Sequence, residues 1–391
     1  MSQLPWHEEL NAALSERKAA GRYRQSRLRT GEQGVNIVVD GKPMLSFCSN
    51  DYLGLAAHSD IKQAFKKAID KEGVGSGAAH LLTGHSHYHQ QLEEALAEFT
   101  GQQRVLLFST GYMANLGVID GLLSRGDMVI QDKLNHASLL DGGRLTEAEQ
   151  LRFLHADMGR LHKRLHTAAH AKHRLIVSDG VFSMDGDIAA LPEMMALAEQ
   201  HRAAVLIDDA HGFGVIGKGG RGTVSHYNLA ADKTPIVVGT LGKAIGTGGA
   251  FVAADEVVIE SLIQKARSYV YTTAQPPAIA AATLASLQLV ENENWRREQL
   301  QDLIKQFRQG AEQLGLELMP SITPIQPIVI GDDKKALAIG KSLEDKGLLV
   351  GVIRPPTVPN KTARLRVTLS ASHRAEDVEK LLAALELACA H

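Results

Sequence analysis

A chain of 391 residues can bury one large core and a smaller second one, so a big domain followed by a lesser one is the starting expectation. With 42 Lys and Arg against 44 Asp and Glu, the formal charge is −2, which excludes any chain-wide attraction to nucleic acid or to an anionic membrane. Cys48 and Cys389 are too few and too distant for a disulfide framework, and no apolar run approaches a membrane span. The opening residues, MSQLPWHEELNAAL, lack an apolar signal core and carry Glu8 and Glu9, so a reducing, cytoplasmic setting is expected.

Along the chain, residues 1–45 are expected to form one amphipathic helix and an extended arm bearing Arg17, Lys18, Arg22, Arg24, Arg27 and Arg29. A large α/β domain is expected over 46–290. Within it, seven short apolar runs alternate with helix-length spacers: Arg104 to Ser109, Asp127 to Asp132, Leu151 to His155, Arg174 to Asp179, Ala204 to Asp209, Pro235 to Thr240 and Ala250 to Ala254. Being apolar throughout, most of them belong in a mostly parallel sheet covered on both faces. A long helical stretch, Ala278 to Leu314, then leads into a smaller α+β domain over 291–391, with strands IQPIVIG, LLVGVI and ARLRVTLS and a last helix from His373 to Ala390.

Ligands of open α/β sheets bind beyond the carboxyl ends of the strands, so the residues there should carry the chemistry. They are unusual: TGY after the first run, HAS after the second, FSMDG after the fourth, DDAH after the fifth and a glycine-flanked lysine, TLGKAIG, after the sixth. That lysine does not complete a nucleotide-phosphate loop, because Val237 and Ala244 stand where the loop needs glycine and a hydroxyl. GFGVIG, Gly212 to Gly217, matches a dinucleotide pattern in form only, since loop residues follow it and two aspartates precede it.

Lys243 taken alone reads equally as a solvated loop residue or as an amine freed by burial for Schiff-base chemistry. Asp208, ending the fifth run, tips the balance. A buried carboxylate needs a cationic partner, and a pyridinium nitrogen is one. Ser109, Thr110, Gly111 and Tyr112 join the first run to a helical pattern, where free N–H groups could hold a phosphate.

The segments SNDYLG (Ser49 to Gly54), GVGSGAAHLLTGHS (Gly73 to Ser86), HASLLDG (His136 to Gly142), GVFSMDGD (Gly180 to Asp187), DDAHGFGVIG (Asp208 to Gly217), TLGKAIG (Thr240 to Gly246) and IRPPTVP (Ile353 to Pro359) together resemble the α-oxoamine synthases among the fold-type I pyridoxal-phosphate (PLP) enzymes. Nearly the whole chain takes part in the likeness. Asp179 stands where a glutamate is expected, and PNKTARLR replaces a more usual glycine-containing turn.

The resemblance implies PLP as cofactor and a decarboxylative condensation of an amino acid with an acyl thioester. IRPPTVP with TARLR and GSGAAHLLTGHS is most similar to the biotin-pathway branch, which implies L-alanine and a pimeloyl group on coenzyme A or acyl carrier protein. The alternative is another α-oxoamine synthase, using glycine or making an aminoketone signal. By resemblance, Lys243 is the Schiff-base lysine, Asp208 the pyridinium partner, His211 a donor to the ring oxygen and His136 the group stacked on the ring. Gly111, Tyr112 and Thr240 would hold the phosphate, with Ser183 close by, and Thr272 and Thr273 would reach the phosphate of a neighbouring subunit in a homodimer. Asn50 and Arg354 would bind the amino acid carboxylate, and Arg24 and Thr357 the acyl substrate.

His85, His87 and His89 follow an H-x-H-x-H spacing, but in the first turn of a helix alternate residues diverge, so no metal site is expected there. His162, His166, His170 and His173 lie in a polar helical stretch and read as a solvated face. A regulator with dead chemistry is disfavoured, since Lys243, Asp208, His211 and His136 are all present.

Overall fold

The computed structural model describes residues 4–229 and 235–389. The arm contributes strands β1 (Arg29–Thr30), β2 (Asn36–Val39) and β3 (Lys42–Phe47). Seven more follow: β4 (Arg104–Phe108), β5 (Met128–Asp132), β6 (Glu149–Phe153), β7 (Arg174–Asp179), β8 (Ala204–Asp208), β9 (Ile236–Thr240) and β10 (Ala250–Ala254). They form one sheet in the order β4-β10-β9-β8-β7-β5-β6, in which only β10 runs antiparallel to its neighbours.

The inner strands β5, β9 and β10 are buried almost throughout, because helices cover both faces. One face packs under helices Gly111–Leu122, Ala137–Leu145 and Glu256–Lys265, the other under Met158–Thr167 and Leu191–His201. Edge strand β6 is largely exposed and begins two residues before the expected Leu151. Its register, Met128 opposite Glu149, follows pairing with β5 and not hydropathy, since an edge strand has only one neighbour and an open side.

A second sheet has the order β1-β2-β3-β12-β13-β11, with β11 (Ile325–Gly331), β12 (Leu348–Ile353) and β13 (Ala363–Thr368). The arm is therefore not merely extended: β3 pairs in parallel with β12, Leu45 opposite Leu348. The first helix, His7–Ala19, forms but lacks the expected amphipathic character: its apolar residues make no distinct face, none of them is buried among the described residues, and Leu10 and Leu14 are exposed.

The expected long helix is two, Pro277–Asn292 and Trp295–Gln313, broken at a polar Asn-Glu-Asn where Asn294 Oδ1 accepts from Arg297 of the next turn. The last helix spans Ala375–Cys389, and Ala390 lies outside the described residues.

Candidate active site

The carboxyl ends of β5, β7, β8 and β9 surround a cavity of about 180 Å³. Lys243, Asp208, His211 and His136 line it, as do Gly111, Tyr112, Ser183 and Thr240, together with Ser138, Asp179 and Ala210. A larger hollow, about 620 Å³, opens at the amino ends of β8 and β9 among mainly apolar residues such as Met195, Ala203 and Ile236, away from Lys243.

The lysine reaches the cavity because its loop folds tightly against two neighbours. Gly246 has φ +72°, and a Cβ there would lie 2.6 Å from Ala56 N. Gly214, at φ +83°, would meet Ala244 Cβ at 2.8 Å. Of the glycines of GFGVIG, Gly214 makes room for the residue beside Lys243, while Gly212 and Gly217 pack against Asp209 and Gly222, which accounts for a pattern that resembled a dinucleotide loop.

Lys243 Nζ donates to His211 Nε2 at 2.7 Å. That assigns the ring proton to Nδ1, which lies 2.6 Å from the hydroxyl of fully buried Tyr52. Tyr52 in turn donates to Asn50 Oδ1 at 3.2 Å, and Arg366 Nη2 donates to the same oxygen at 3.3 Å. A continuous hydrogen-bonded path therefore joins Lys243 to Asn50 and Arg366. Burial, opposed by the Asp208 and Asp179 carboxylates, brings the Lys243 pKa down to about 8, so a neutral amine is accessible near physiological pH. Burial and then the Lys243 charge hold His211 well below the ordinary imidazole value, keeping it neutral.

Asp208 is held by neutral donors, Asn115 Nδ2 at 2.6 Å and the Ala210 N–H at 3.0 Å. Beside it in the parallel ladder, Asp179 accepts from the His136 N–H at 2.9 Å. Burial and the neighbouring Asp208 push Asp179 well above the usual carboxylate range. The His136 ring caps the following helix, accepting from Ser138 N at 3.3 Å.

Gly111 and Tyr112 open the helix Gly111–Leu122, whose first-turn N–H groups have no helical carbonyl to meet, and Thr110 caps it through Met113 N. A buried carboxylate, a primary amine of lowered pKa and an open helix N-terminus around one cavity are the donor set that the pyridine nitrogen, aldehyde and phosphate of PLP require.

The remaining expected residues lie outside that lining. Asn50 adjoins it through Tyr52 and Arg366. Arg354 donates to Gly21 O at 2.6 Å and thereby anchors the arm, where Arg24 is exposed, while Thr357 is exposed next to Arg354. Thr273 pairs with Ala79, and Thr272 precedes it, both away from this chain's own cavity.

Arg366 and Tyr52 were not singled out from sequence. Arg366 is buried, and its Nε donates to Ser183 O at 2.6 Å, within the cavity wall. Its signal was available: two arginines, Arg364 and Arg366, at alternate positions of a strand that is buried throughout. Tyr52 sat inside the quoted SNDYLG.

Of the neighbouring histidines, His87 turns toward Glu72, 3.7 Å away. His85 and His89 converge with His80, because His85 precedes the helix His87–Thr100 and escapes its period. His89 accepts from Ser86 N at 3.0 Å and donates to Gln275 O at 2.8 Å.

Residues 42–385 match the aminotransferase class I and II family. The chain belongs to that family. It is 58% identical to 8-amino-7-oxononanoate synthase of Saccharophagus degradans over 379 residues, 96% of this chain and 95% of the relative. Among solved structures it is similar to serine palmitoyltransferase from S. paucimobilis with PLP and myriocin bound, at a TM-score of 0.92 and 32% identity over 99% of this chain and 98% of that one. The 8-amino-7-oxononanoate synthase of Francisella tularensis is likewise similar, at a TM-score of 0.78 and 32% identity, covering 88% of this chain and 97% of that one. The fold is that of the fold-type I PLP enzymes. No helix among the described residues is long and apolar enough to cross a membrane.

Proposed function

We propose that the chain is a PLP-dependent acyltransferase that condenses L-alanine with a pimeloyl thioester, releasing 8-amino-7-oxononanoate, CO2 and the free thiol in biotin synthesis. The observation that carries this reading is the 58% identity to a synthase of that name across almost the whole chain. Fold likeness alone would not choose the acyl group, since serine palmitoyltransferase superposes as well.

PLP, when bound, supplies the electron sink that stabilises charge on the alanine Cα. Asp208 would pair with its nitrogen, the Gly111 and Tyr112 N–H groups and Thr240 would hold its phosphate, and His136 would lie against its ring. Arg366 and Asn50 take the alanine carboxylate: Arg366 is bonded to the cavity wall at Ser183 O and to Asn50 Oδ1, whereas Arg354 donates to Gly21 O of the arm. Lys243 Nζ, with a pKa of about 8, removes the Cα proton, and His211 and Tyr52 keep the amine oriented. The alanine Cα then bonds to the acyl carbonyl carbon, the C–S bond breaks, and the thiolate takes a proton from water, the Cα proton remaining on Lys243. Loss of the carboxyl group as CO2 leaves a pair of electrons on Cα, to which Lys243 returns a proton.

Arg24 and Thr357, on and beside the arm that Arg354 holds through Gly21 O, bind the distal carboxylate or the carrier of the acyl donor. The acyl carrier is coenzyme A or acyl carrier protein. The active unit is a homodimer in the cytoplasm, with Thr272 and Thr273 serving the partner's phosphate site.

Mass spectrometry of the product formed from alanine and pimeloyl thioester, beside the same assay with heptanoyl thioester, tests the reading. The expected outcome is 8-amino-7-oxononanoate and a strong preference for pimeloyl. Equal use of both thioesters would favour a broader α-oxoamine synthase.

A further inference from the structure

Three histidines that look scattered in sequence meet on the outer layer of the large sheet. His162 and His166 lie one turn apart on the helix Met158–Thr167, and His201 ends the helix Leu191–His201. His166 Nε2 is 3.1 Å from His162 Nε2, and His201 Nε2 is 3.3 Å from His162 Nδ1. The ring centroids are separated by 4.6, 5.1 and 4.9 Å. One ring nitrogen from each residue lies within 4.8 Å of the others. Among the described residues, the only hydrogen-bond partners of these rings are one another.

We propose that His162, His166 and His201 form a binding site for a divalent transition-metal ion such as Zn2+ or Ni2+, with water completing the coordination. An i, i+4 histidine pair presents both rings on one helix face, and a third imidazole from the adjoining helix supplies the ligand number of an open tetrahedral site. Tetrahedral Zn–N bonds of about 2.0–2.1 Å put ligand nitrogens roughly 3.3–3.4 Å apart; here His166 meets Nε2 of His162 and His201 meets its Nδ1, and taking one nitrogen from each ring the set lies within 4.8 Å. A turn of the His162 ring to aim one nitrogen at the ion, with the three rings drawn closer together, completes the set.

The electrostatics are mixed but favourable. His166 and His201 sit in the last turns of their helices, where the carbonyl ends of the dipoles attract a cation. Arg174 lies close enough to oppose it.

The cluster stands at the amino ends of β7 and β8, since His201 precedes Ala204. Asp208 ends β8, so roughly 13–17 Å of strand separates the trio from the catalytic cavity. An ion there would tie two covering helices together without touching the chemistry.

The test uses the untagged, cofactor-loaded chain. It should be retained on an immobilised Ni2+ column and bind one Zn2+ per chain in calorimetry, with Co2+ giving a visible ligand-field spectrum. The double variant His162→Gln/His166→Gln should elute early and lose affinity by at least about tenfold, while keeping wild-type turnover as proof of folding. His170→Gln, whose ring is paired to Thr167 O, should behave as wild type. Failure of the wild type to bind any of the three ions, or unchanged affinity in the double variant, would overturn the site.

Discussion

Arg366 and Arg354 differ in placement in a way that residue type alone could not reveal. Both guanidiniums follow a strand pattern near the end of the chain, but only Arg366 is buried with its fork turned toward Asn50 and Ser183. Removing a charge-assisted partner of a carboxylate costs roughly 1.5–3 kcal/mol, or about 10- to 150-fold in binding. Arg366→Ala should therefore raise the alanine concentration needed for the cofactor's spectral change by that factor. Arg354→Ala should leave the alanine titration unchanged and raise the KM for the pimeloyl donor. The reverse pattern would return the carboxylate to Arg354.

At the scale of elements, the lysine loop depends on backbone approach more than on side-chain contacts. Gly246 combines φ +72° with a neighbour that a methyl group would meet at 2.6 Å, and that neighbour is backbone, which cannot swing aside. Gly246→Ala should destabilise the fold by roughly 1–3 kcal/mol in denaturant titration. Because Lys243 rides on the same loop, kcat should fall more than alanine affinity. An unchanged denaturation midpoint would show that the loop relaxes freely. The strands feeding this site were readable from hydropathy because their burial on both faces leaves few alternatives. Edge strand β6 was displaced by two residues in the sequence reading because pairing, not burial, sets its ends.

Across the whole molecule, His155 links three segments remote in sequence. Its Nδ1 lies 3.2 Å from Asp132 at the end of β5 and its Nε2 3.0 Å from Asp187, while Asp185 nearby is paired with Arg364 of β13. Burial alone would lower its pKa, but the hydrogen bonds and charges of Asp132 and Asp187 outweigh burial and raise it from 6.5 to about 10. The folded value exceeds the unfolded one, so the stabilisation is complete below pH 6.5 and is lost as the pH climbs through about 10. Urea unfolding measured across that window should show wild-type stability falling with pH, and His155→Gln should be less stable at pH 6.5 yet show a shallower decline. Parallel curves would mean that His155 carries no such linkage.

Sequence by itself determined the apolar strands, the residues after them that line the cavity and the family likeness, because each depends on local pattern or on residue type at short spacing. Tertiary structure alone decided which arginine faces Asn50, that Tyr52 relays to Lys243 through His211, that the arm joins the C-terminal sheet, and that His162, His166 and His201 meet. The physical reason is common to all four. A side chain's partner across tens or hundreds of residues is set by strand order and helix packing, and those are settled only when the sheets assemble.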